Sequence, residues 1–507
     1  MRDYDFYYTQ DGSIGLYSYA DKDVYHSKFG ALTEAWEKFV IPSGINKMLN
    51  SKEEVKILDI CYGIGYNTKA MMSYVINHNE KYFQEKNKNK FLKKIKKIKK
   101  IFFKNKKNKN LYNNIDSLDT NKNQFEKEGI LLTSNESSDN DKTFFPNNKK
   151  CYNNLDDNIY IPEFITKIKL DCLDINTELI KISPLLKTVI TPQEVFTRII
   201  PKIFECFETY WKIKRYLTKI SLKFAPKNNK DITELLDLKF NNNYENINKQ
   251  YRIHKFVNYV LVDTLVEKYK DKYLDQEIKK ILKDRKKRHF FEPSVVNYAL
   301  YKQNKGYKVL SKFNLFAFLH NIYYDHLSNR YKKIHFDDIK SLFNINFYAD
   351  DARKSILDIS EQYDLMFLDA FTFSKAPELW TIEFMAELYR RLSPNGIIMT
   401  YSNSALVRNT FIENNFYIGK IKDPNTGKCI GTVAAKDKSM IEHPLSNYEM
   451  GLCSTRAGIP YHDYSLADTK EVILKRREQE FKSSDLMTSS QYMRYRSNLK
   501  EGQENEE

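Results

Sequence analysis

Apolar runs bounded by glycine, proline and acidic turns recur at both ends of the chain and are missing from a long stretch between them. Near the start, D-G-S-I-G-L-Y-S-Y alternates polar and apolar positions, which predicts a short hairpin with Asp11-Gly12 at its turn. L-T-E-A-W-E-K-F-V then has helical spacing, with Thr33 as a candidate cap, and Pro42 and Gly44 interrupt it. Next comes V-K-I-L-D-I-C-Y-G-I-G-Y-N-T-K-A-M-M: a buried-strand run, a glycine-bearing turn and a helix. That order predicts the first βα unit of a doubly wound sheet.

The periodicity fails after Glu80. Residues 81–158 are dominated by Lys, Asn, Asp and Ser; K-K-I-K-K-I-K-K-I extends the first helix to about Lys107, and a disordered stretch is expected beyond it. A second strand is predicted over residues 164–175, F-I-T-K-I-K-L-D-C-L-D-I, inside a short piece of the same fold at 159–180. Residues 181–335 carry helical patterns too long for one crossover, such as those at 192–211 and 315–327, so they read as an inserted helical subdomain. Strand–helix alternation resumes over 336–441. Strands are expected in F-N-I-N-F-Y, Y-D-L-M-F-L and G-I-I-M-T-Y-S, and near Phe416 and Thr432–Ala435. The helix W-T-I-E-F-M-A-E-L-Y-R-R-L is expected to end at Ser393-Pro394-Asn395-Gly396, and A-L-V-R-N-T-F-I-E-N-N to form the next one. Residues 442–507 form a mixed C-terminal extension ending in a charged helix and an acidic tail.

Composition narrows the class. No apolar run approaches the 18 or more residues of a membrane span. The N-terminus M-R-D-Y-D-F-Y-Y has no apolar core of a secretory signal. Six cysteines without a C-x-x-C pair exclude a disulfide scaffold and the usual zinc and iron–sulfur spacings. A soluble, cytoplasmic protein without a bound metal is expected. Glycine is scarce, at 15 of 507 residues, while Lys, Asn, Ile, Tyr and Phe abound, the usage an AT-rich genome produces. The net charge of +16 is therefore partly codon bias. It is also unevenly spread: residues 1–80 carry −3, 341–507 carry −4, and 81–340 carry +23. Either this middle part contacts a polyanion, with steep salt dependence, or it is solvated lysine-rich sequence. The helical part is assigned the contact and the Lys/Asn tract the solvated role.

The chemistry concentrates at strand ends. In Asp59 to Asn67, D-I-C-Y-G-I-G-Y-N, Gly63 and Gly65 let a ligand approach the backbone in front of a helix N-terminus. The third glycine of a dinucleotide fingerprint is replaced by Thr68, so an acid followed by G-x-G suits the amino-acid moiety of S-adenosylmethionine better. Asp174 ends the second strand, where it would accept ribose hydroxyls or simply initiate a helix. Asp351 in D-D-A-R would meet the adenine amino group, or cap a helix together with Asp350. Asp369 in F-L-D-A-F-T-F-S-K-A-P-E-L-W ends the fourth strand, beside the expected methyl group. Phe371, Phe373 and Trp380 would wall a pocket and stack on a base, although for Trp380 packing a helix against the sheet is the favoured role over a direct contact. Acids at successive carboxyl ends of a doubly wound sheet lie where ligands bind.

With these motifs in order, the sequence resembles the methyltransferase domain of the bacterial tRNA 5-methylaminomethyl-2-thiouridine biosynthesis proteins. The likeness rests on D-G-S-I-G-L-Y-S, Y-H-S-K-F-G-A-L-T-E-A, D-I-C-Y-G-I-G-Y-N, D-A-R and F-L-D-A-F-T-F-S-K-A-P-E-L-W-T. It continues in L-S-P-N-G-I-I-M-T-Y-S-N-S-A-L-V-R and T-R-A-G-I-P-Y-H-D. It spans roughly 250 residues of the acidic ends and leaves out the basic middle. The resemblance implies an α/β, class I S-adenosylmethionine-dependent methyltransferase fold, Rossmann-like, with an N-terminal β-hairpin appendage and two insertions. It implies methyl transfer from S-adenosyl-L-methionine to the amine of 5-aminomethyl-2-thiouridine at the tRNA wobble position. Asp59, Gly63, Gly65 and Asn67 would then hold the methionine part, Asp174 the ribose and Asp351 the adenine, while Asp369 meets the substrate amine. Tyr25, His26, Phe371, Lys375 and Trp380 are the substrate-side candidates.

Cys61 departs from the pattern, because the family usually carries glycine there; a side chain at that place narrows the approach to the cofactor. Nothing after residue 441 has the length or glycine pattern of the flavin oxidoreductase domain that bifunctional members carry. The chain is thus expected to methylate alone, with tRNA as partner and a separate oxidoreductase acting upstream. Two rival readings stand beside this one. An aminopropyltransferase on the same scaffold is opposed by F-S-K-A-P-E-L-W-T and T-R-A-G-I-P-Y. A non-catalytic RNA-binding platform is opposed by the intact acids at the strand ends.

Overall fold

The computed structural model describes residues 4–19, 22–25, 30–79, 165–189, 244–284, 287–304, 338–423 and 426–504. The Lys/Asn-rich tract at 81–158, the helical patterns at 192–211 and 315–327, and His26 lie outside the described residues. Residues 1–78 and 162–507 form one compact unit; of the other, 79–161, only Asn79 is described.

The expected hairpin is present as β1 (Tyr4–Tyr8) and β2 (Ile14–Ser18), and a short β3 (Asp23–Val24) pairs antiparallel with β2 to make three strands. Its turn does more than reverse the chain. Asp11 accepts hydrogen bonds from Thr9 Oγ1 at 2.6 Å and from the Ser13 amide at 2.9 Å, and its second oxygen accepts from the amide and hydroxyl of Thr33 at 2.9 and 3.0 Å. Ser13 Oγ accepts from the Ala31 amide at 2.9 Å. Thr33 is therefore not the cap. The helix begins two residues earlier, at Ala31, and its orphan amides are satisfied by the hairpin turn rather than by a local side chain. Ala31–Glu34 widens into a π-helical stretch, Ala35–Val40.

The central sheet has seven strands: β4 (Glu54–Ile60), β5 (Lys167–Leu173), β6 (Phe343–Tyr348), β7 (Tyr363–Leu368), β8 (Leu392–Thr400), β9 (Tyr417–Lys422) and β10 (Cys429–Ala435). Their order is β6-β5-β4-β7-β8-β10-β9, with β10 antiparallel to both neighbours and the others parallel. This is the class I methyltransferase arrangement that was expected. All six residues of β7 are buried, as a strand covered by helices on both faces requires. One core cluster runs from Leu58 and Leu368 through Trp380 and Phe384 to Phe411 and reaches Ile473 of the helix Lys470–Ser483.

The helix Ile382–Arg391 ends just before Ser393-Pro394-Asn395-Gly396, as expected, and β8 starts at Leu392 and contains that segment, with a register shift against β7 between Tyr363 and Leu365. The shift brings backbone so close at Gly396 that a Cβ would lie 2.7 Å from the Tyr363 carbonyl oxygen. Within 181–335, the helix Tyr244–Tyr269 packs directly on Tyr66–His78, with Ser73 Oγ and His254 Nδ1 3.0 Å apart. Phe290 and Phe291 meet Phe6 of β1 with ring centroids 5.6 and 6.1 Å apart. The described parts of the insertion are thus fused to the sheet and hairpin.

Candidate functional site

Register explains why three acids converge. Asp59 pairs across the sheet with Cys172 and Phe367, and Ile60 with Leu173 and Leu368. Asp174 and Asp369, the next residues after β5 and β7, therefore stand one step beyond Ile60 on the carboxyl edge. β4 is the strand at which the chain order reverses, the place where open α/β sheets bind ligands.

Each acid is held. Asp59 is 1% exposed; its Oδ2 accepts from Thr68 Oγ1 at 2.6 Å, while its Oδ1 is buried without a hydrogen-bond partner. Asp174 accepts from the Gly63 amide at 2.6 Å and from the Asn176 amide at 2.7 Å. Asp369 accepts from Asn67 Nδ2 at 2.9 Å. Burial pushes Asp59 up to about 7, reinforced by the charges of Asp369 and Asp174. Burial likewise lifts Asp174 to about 6 and Asp369 to about 6. Taking carboxylates out of water disfavours their charged forms, and an incoming cation reverses that penalty.

The turn between β4 and the helix Tyr66–His78 is built for close backbone approach. Gly63 has φ +55° and Gly65 φ +77°, and a Cβ on Gly65 would lie 2.4 Å from the buried Tyr62 ring. Cys61 also adopts a left-handed φ, +67°. The position where the family usually has glycine thus keeps a glycine backbone despite its side chain, at a strain of roughly 1–2 kcal/mol. Burial and the neighbouring Asp174, Asp369 and Asp59 push the Cys61 thiol well up, so it stays protonated.

The hairpin and the loop after β7 close over this turn. Tyr25 lies 3.3 Å from where a Gly63 Cβ would be and meets the Phe371 ring edge-on at 4.9 Å. Lys375 Nζ pairs with Asp23 at 2.8 Å, tying the loop to β3. Asp59, Gly63, Gly65, Asn67, Asp174, Asp369, Tyr25 and Phe371 are therefore brought together.

Two candidates have other employment. Asp351 caps the helix Ala352–Asp358, accepting from the Arg353 amide at 2.9 Å, and its carboxylate pairs with Arg353 Nη2 at 2.7 Å. Arg353 in turn reaches Asp463, 0% exposed, at 2.6 Å. The capping alternative describes Asp351 as it stands, and D-A-R is joined to G-I-P-Y-H-D through the buried Arg353–Asp463 pair. Trp380 is 0% exposed and donates from Nε1 to the Phe371 carbonyl at 2.9 Å. This is the packing alternative rather than the stacking one: the indole sits in the core and fixes the loop from below.

Sequence reading missed other contributors. Thr68, counted only as an absent glycine, supplies the hydroxyl that holds Asp59. Glu378 has a buried Oε2 without a partner, and its charge is felt at Cys61. Its only signal was its place in K-A-P-E-L-W. Among the described residues no group of three or more His, Cys, Asp or Glu is arranged to hold a metal ion, and no helix is long and apolar enough to cross a membrane.

The residues fit a cationic nucleoside cofactor. The unpartnered Asp59 Oδ1, two positive-φ glycines, the buried Asp59 and Asp174 and the half-buried Asp369 make an acceptor-rich cradle for a sulfonium and an ammonium.

Comparison with known proteins points the same way. Residues 314–437 match a family model described as S-adenosyl-L-methionine-dependent methyltransferase, whose span includes β6 to β10 and Asp369. An uncharacterized protein of Methanocaldococcus jannaschii, MJ0670, is 31% identical over 137 residues, 27% of this chain and 38% of that protein. The tRNA 5-methylaminomethyl-2-thiouridine biosynthesis bifunctional protein MnmC of Pseudomonas putida is 32% identical over 78 residues, 15% of this chain and 12% of that protein. The chain thus spans well under half the length of either relative. The crystal structure of MNMC2 from Aquifex aeolicus aligns over 95% of this chain and 86% of that one, at 15% identity and a TM-score of 0.46. The chain carries an MnmC-like methyltransferase domain of the S-adenosyl-L-methionine-dependent kind, with S-adenosyl-L-methionine as its cofactor.

Proposed function

We propose that this protein methylates the primary amine of 5-aminomethyl-2-thiouridine at the tRNA wobble position, giving 5-methylaminomethyl-2-thiouridine. The observation that carries the reading is Asp369: a carboxylate fixed by Asn67 at 2.9 Å, one residue beyond β7 and facing the same turn as Asp59 and Gly63. The cofactor supplies an electrophilic methyl group on a positively charged sulfur. Asp59 and the Gly63–Gly65 backbone would hold its methionine part, and Asp174 its ribose.

Asp369 accepts a hydrogen bond from the acceptor amine, aims the nitrogen lone pair, and stabilises the positive charge that grows on it. The Asp369–Trp380 loop, clipped to β3 through Lys375 and Asp23, excludes water from that face. The substrate comes from the name of the Pseudomonas relatives and from the wobble-uridine reading of the sequence motifs. On this reading tRNA is the macromolecular partner, and a separate oxidoreductase acts earlier to expose the amine. Mass spectrometry of wobble nucleosides from cells lacking the gene tests it: accumulated 5-aminomethyl-2-thiouridine supports the proposal, and an unchanged nucleoside profile refutes it.

A further inference from the structure

The motif Y-H-S-K-F-G-A-L-T-E-A has so far served only to mark a family likeness, yet its acid stands beside the acceptor end of the site. Helix Ala31–Glu34 is anchored by Asp11 and Ser13 and continues as the π-helical stretch Ala35–Val40, a geometry frequent at functional sites. On its buried side, Phe39 meets Phe367 of β7 edge-on at 5.4 Å, two residues before Asp369. Glu34 pairs with Lys38 at 3.0 Å, and both side chains are about a quarter exposed (24% and 25%). Lys38 Nζ lies 5.9 Å from the centre of the Tyr401 ring, within cation–π range. Tyr401 follows β8 and donates its hydroxyl to the Ala370 carbonyl at 2.9 Å. Glu34, Lys38, Tyr401 and Ala370 thus form an unbroken chain of contacts ending next to Asp369.

A partly exposed i,i+4 ion pair adds little stability, so the fold alone gives this arrangement small reward. We propose that Glu34 and Lys38 are positioning residues of the acceptor subsite: they set the Tyr401 ring as its wall, and Glu34 offers a second carboxylate to the primary amine carried on a planar base and to the ammonium that this amine becomes on methylation. This rests on the methyl-acceptor reading of Asp369 given above. The groups facing Asp369 are Glu34 at the end of the helix Ala31–Glu34, Lys38 on the π-helical segment, Asp59 on β4, Cys61 in the turn, and Tyr401 after β8, besides the Asn67 amide. Glu34 raises the Asp369 carboxyl and Lys38 lowers it, so removing each must move it in opposite directions.

The test uses the full chain with Glu34→Gln, Glu34→Asp and Lys38→Met. Asp369 is titrated by carboxyl-carbon NMR, a readout that needs no substrate. The KM for tRNA bearing the aminomethyl group is measured in parallel with S-adenosylhomocysteine affinity. Glu34→Gln is expected to lower the Asp369 midpoint, and Lys38→Met to raise it. Glu34→Gln should also raise the acceptor KM about tenfold, with Glu34→Asp recovering part of the loss and S-adenosylhomocysteine affinity changing less than about twofold. An Asp369 midpoint unmoved by both variants overturns the proposal, as does a KM loss matched by an equal loss of S-adenosylhomocysteine binding. If the midpoints shift as expected but wild-type protein does not methylate this tRNA, the substrate assignment and the ammonium role of Glu34 fall together. The electrostatic coupling then stands alone.

Discussion

Asp59→Asn should stabilise the free protein, and by an amount that depends on pH. Asp59 is buried, one of its oxygens has no partner, and its carboxyl is raised from 3.8 to about 7. Between those two values the native state holds a proton that the unfolded chain has released, so stability falls as pH rises through this window. At ~1.4 kcal/mol per pH unit, the penalty is about 1.5 kcal/mol at pH 5 and about 4 kcal/mol at pH 8. It levels off above the native value. Asparagine keeps the shape and can still accept from Thr68 Oγ1, but carries no charge. Its own fixed cost, a buried amide in place of Oδ1, is the same at both pH values, so the pH difference isolates the carboxylate. Urea unfolding of wild type and Asp59→Asn at pH 5 and pH 8 should show the variant gaining about 3 kcal/mol relative to wild type between the two conditions, while binding S-adenosylhomocysteine less tightly. An equal effect at both pH values, or a variant that loses ground at pH 8, would refute the reasoning.

Binding of S-adenosylhomocysteine, which carries an ammonium, should release protons near pH 6.5, because Asp59, Asp174 and Asp369 titrate from about 6 to about 7 in the free protein. Calorimetric heats should therefore differ between buffers of low and high ionisation enthalpy, and identical heats would contradict the elevated carboxyls. Gly65→Ala, at φ +77° and 2.4 Å from the Tyr62 ring, should cost roughly 2–4 kcal/mol from strain and overpacking together. The control Gly427→Ala, at φ +67° with nothing within 4 Å, should cost only about 1–2 kcal/mol in the same unfolding assay. Arg353→Met leaves Asp463 buried without its cation and should cost about 3–5 kcal/mol at neutral pH; a change below 1 kcal/mol would show that the pair is not needed.

The sheet was legible because its strands are continuous apolar runs ending in single acids, and the order of those acids along the chain became their proximity at one edge. V-K-I-L-D-I and Y-D-L-M-F-L needed no tertiary knowledge. Thr33 misled because its spacing satisfies a cap rule, yet the amides it seemed to serve are met by Asp11 and Ser13 from another element. Trp380 was readable as a packing residue, and it is buried in one core cluster with Phe384 and Leu388. The pairing of Arg353 with Asp463, 110 positions apart in sequence, leaves no local trace. Glu34 and Tyr401 are equally invisible as a pair. The positive φ at Cys61 was foreshadowed only by the family's preference for glycine there.

The most direct test is methyl transfer itself. Purified full-length protein is incubated with methyl-labelled S-adenosyl-L-methionine and tRNA carrying 5-aminomethyl-2-thiouridine, and the digested wobble nucleoside is analysed by mass spectrometry for wild type and Asp369→Ala. Labelled 5-methylaminomethyl-2-thiouridine from wild type, and none from an Asp369→Ala protein that still binds S-adenosylhomocysteine, is the predicted result. No labelled nucleoside from wild type, or undiminished turnover by Asp369→Ala, would contradict it.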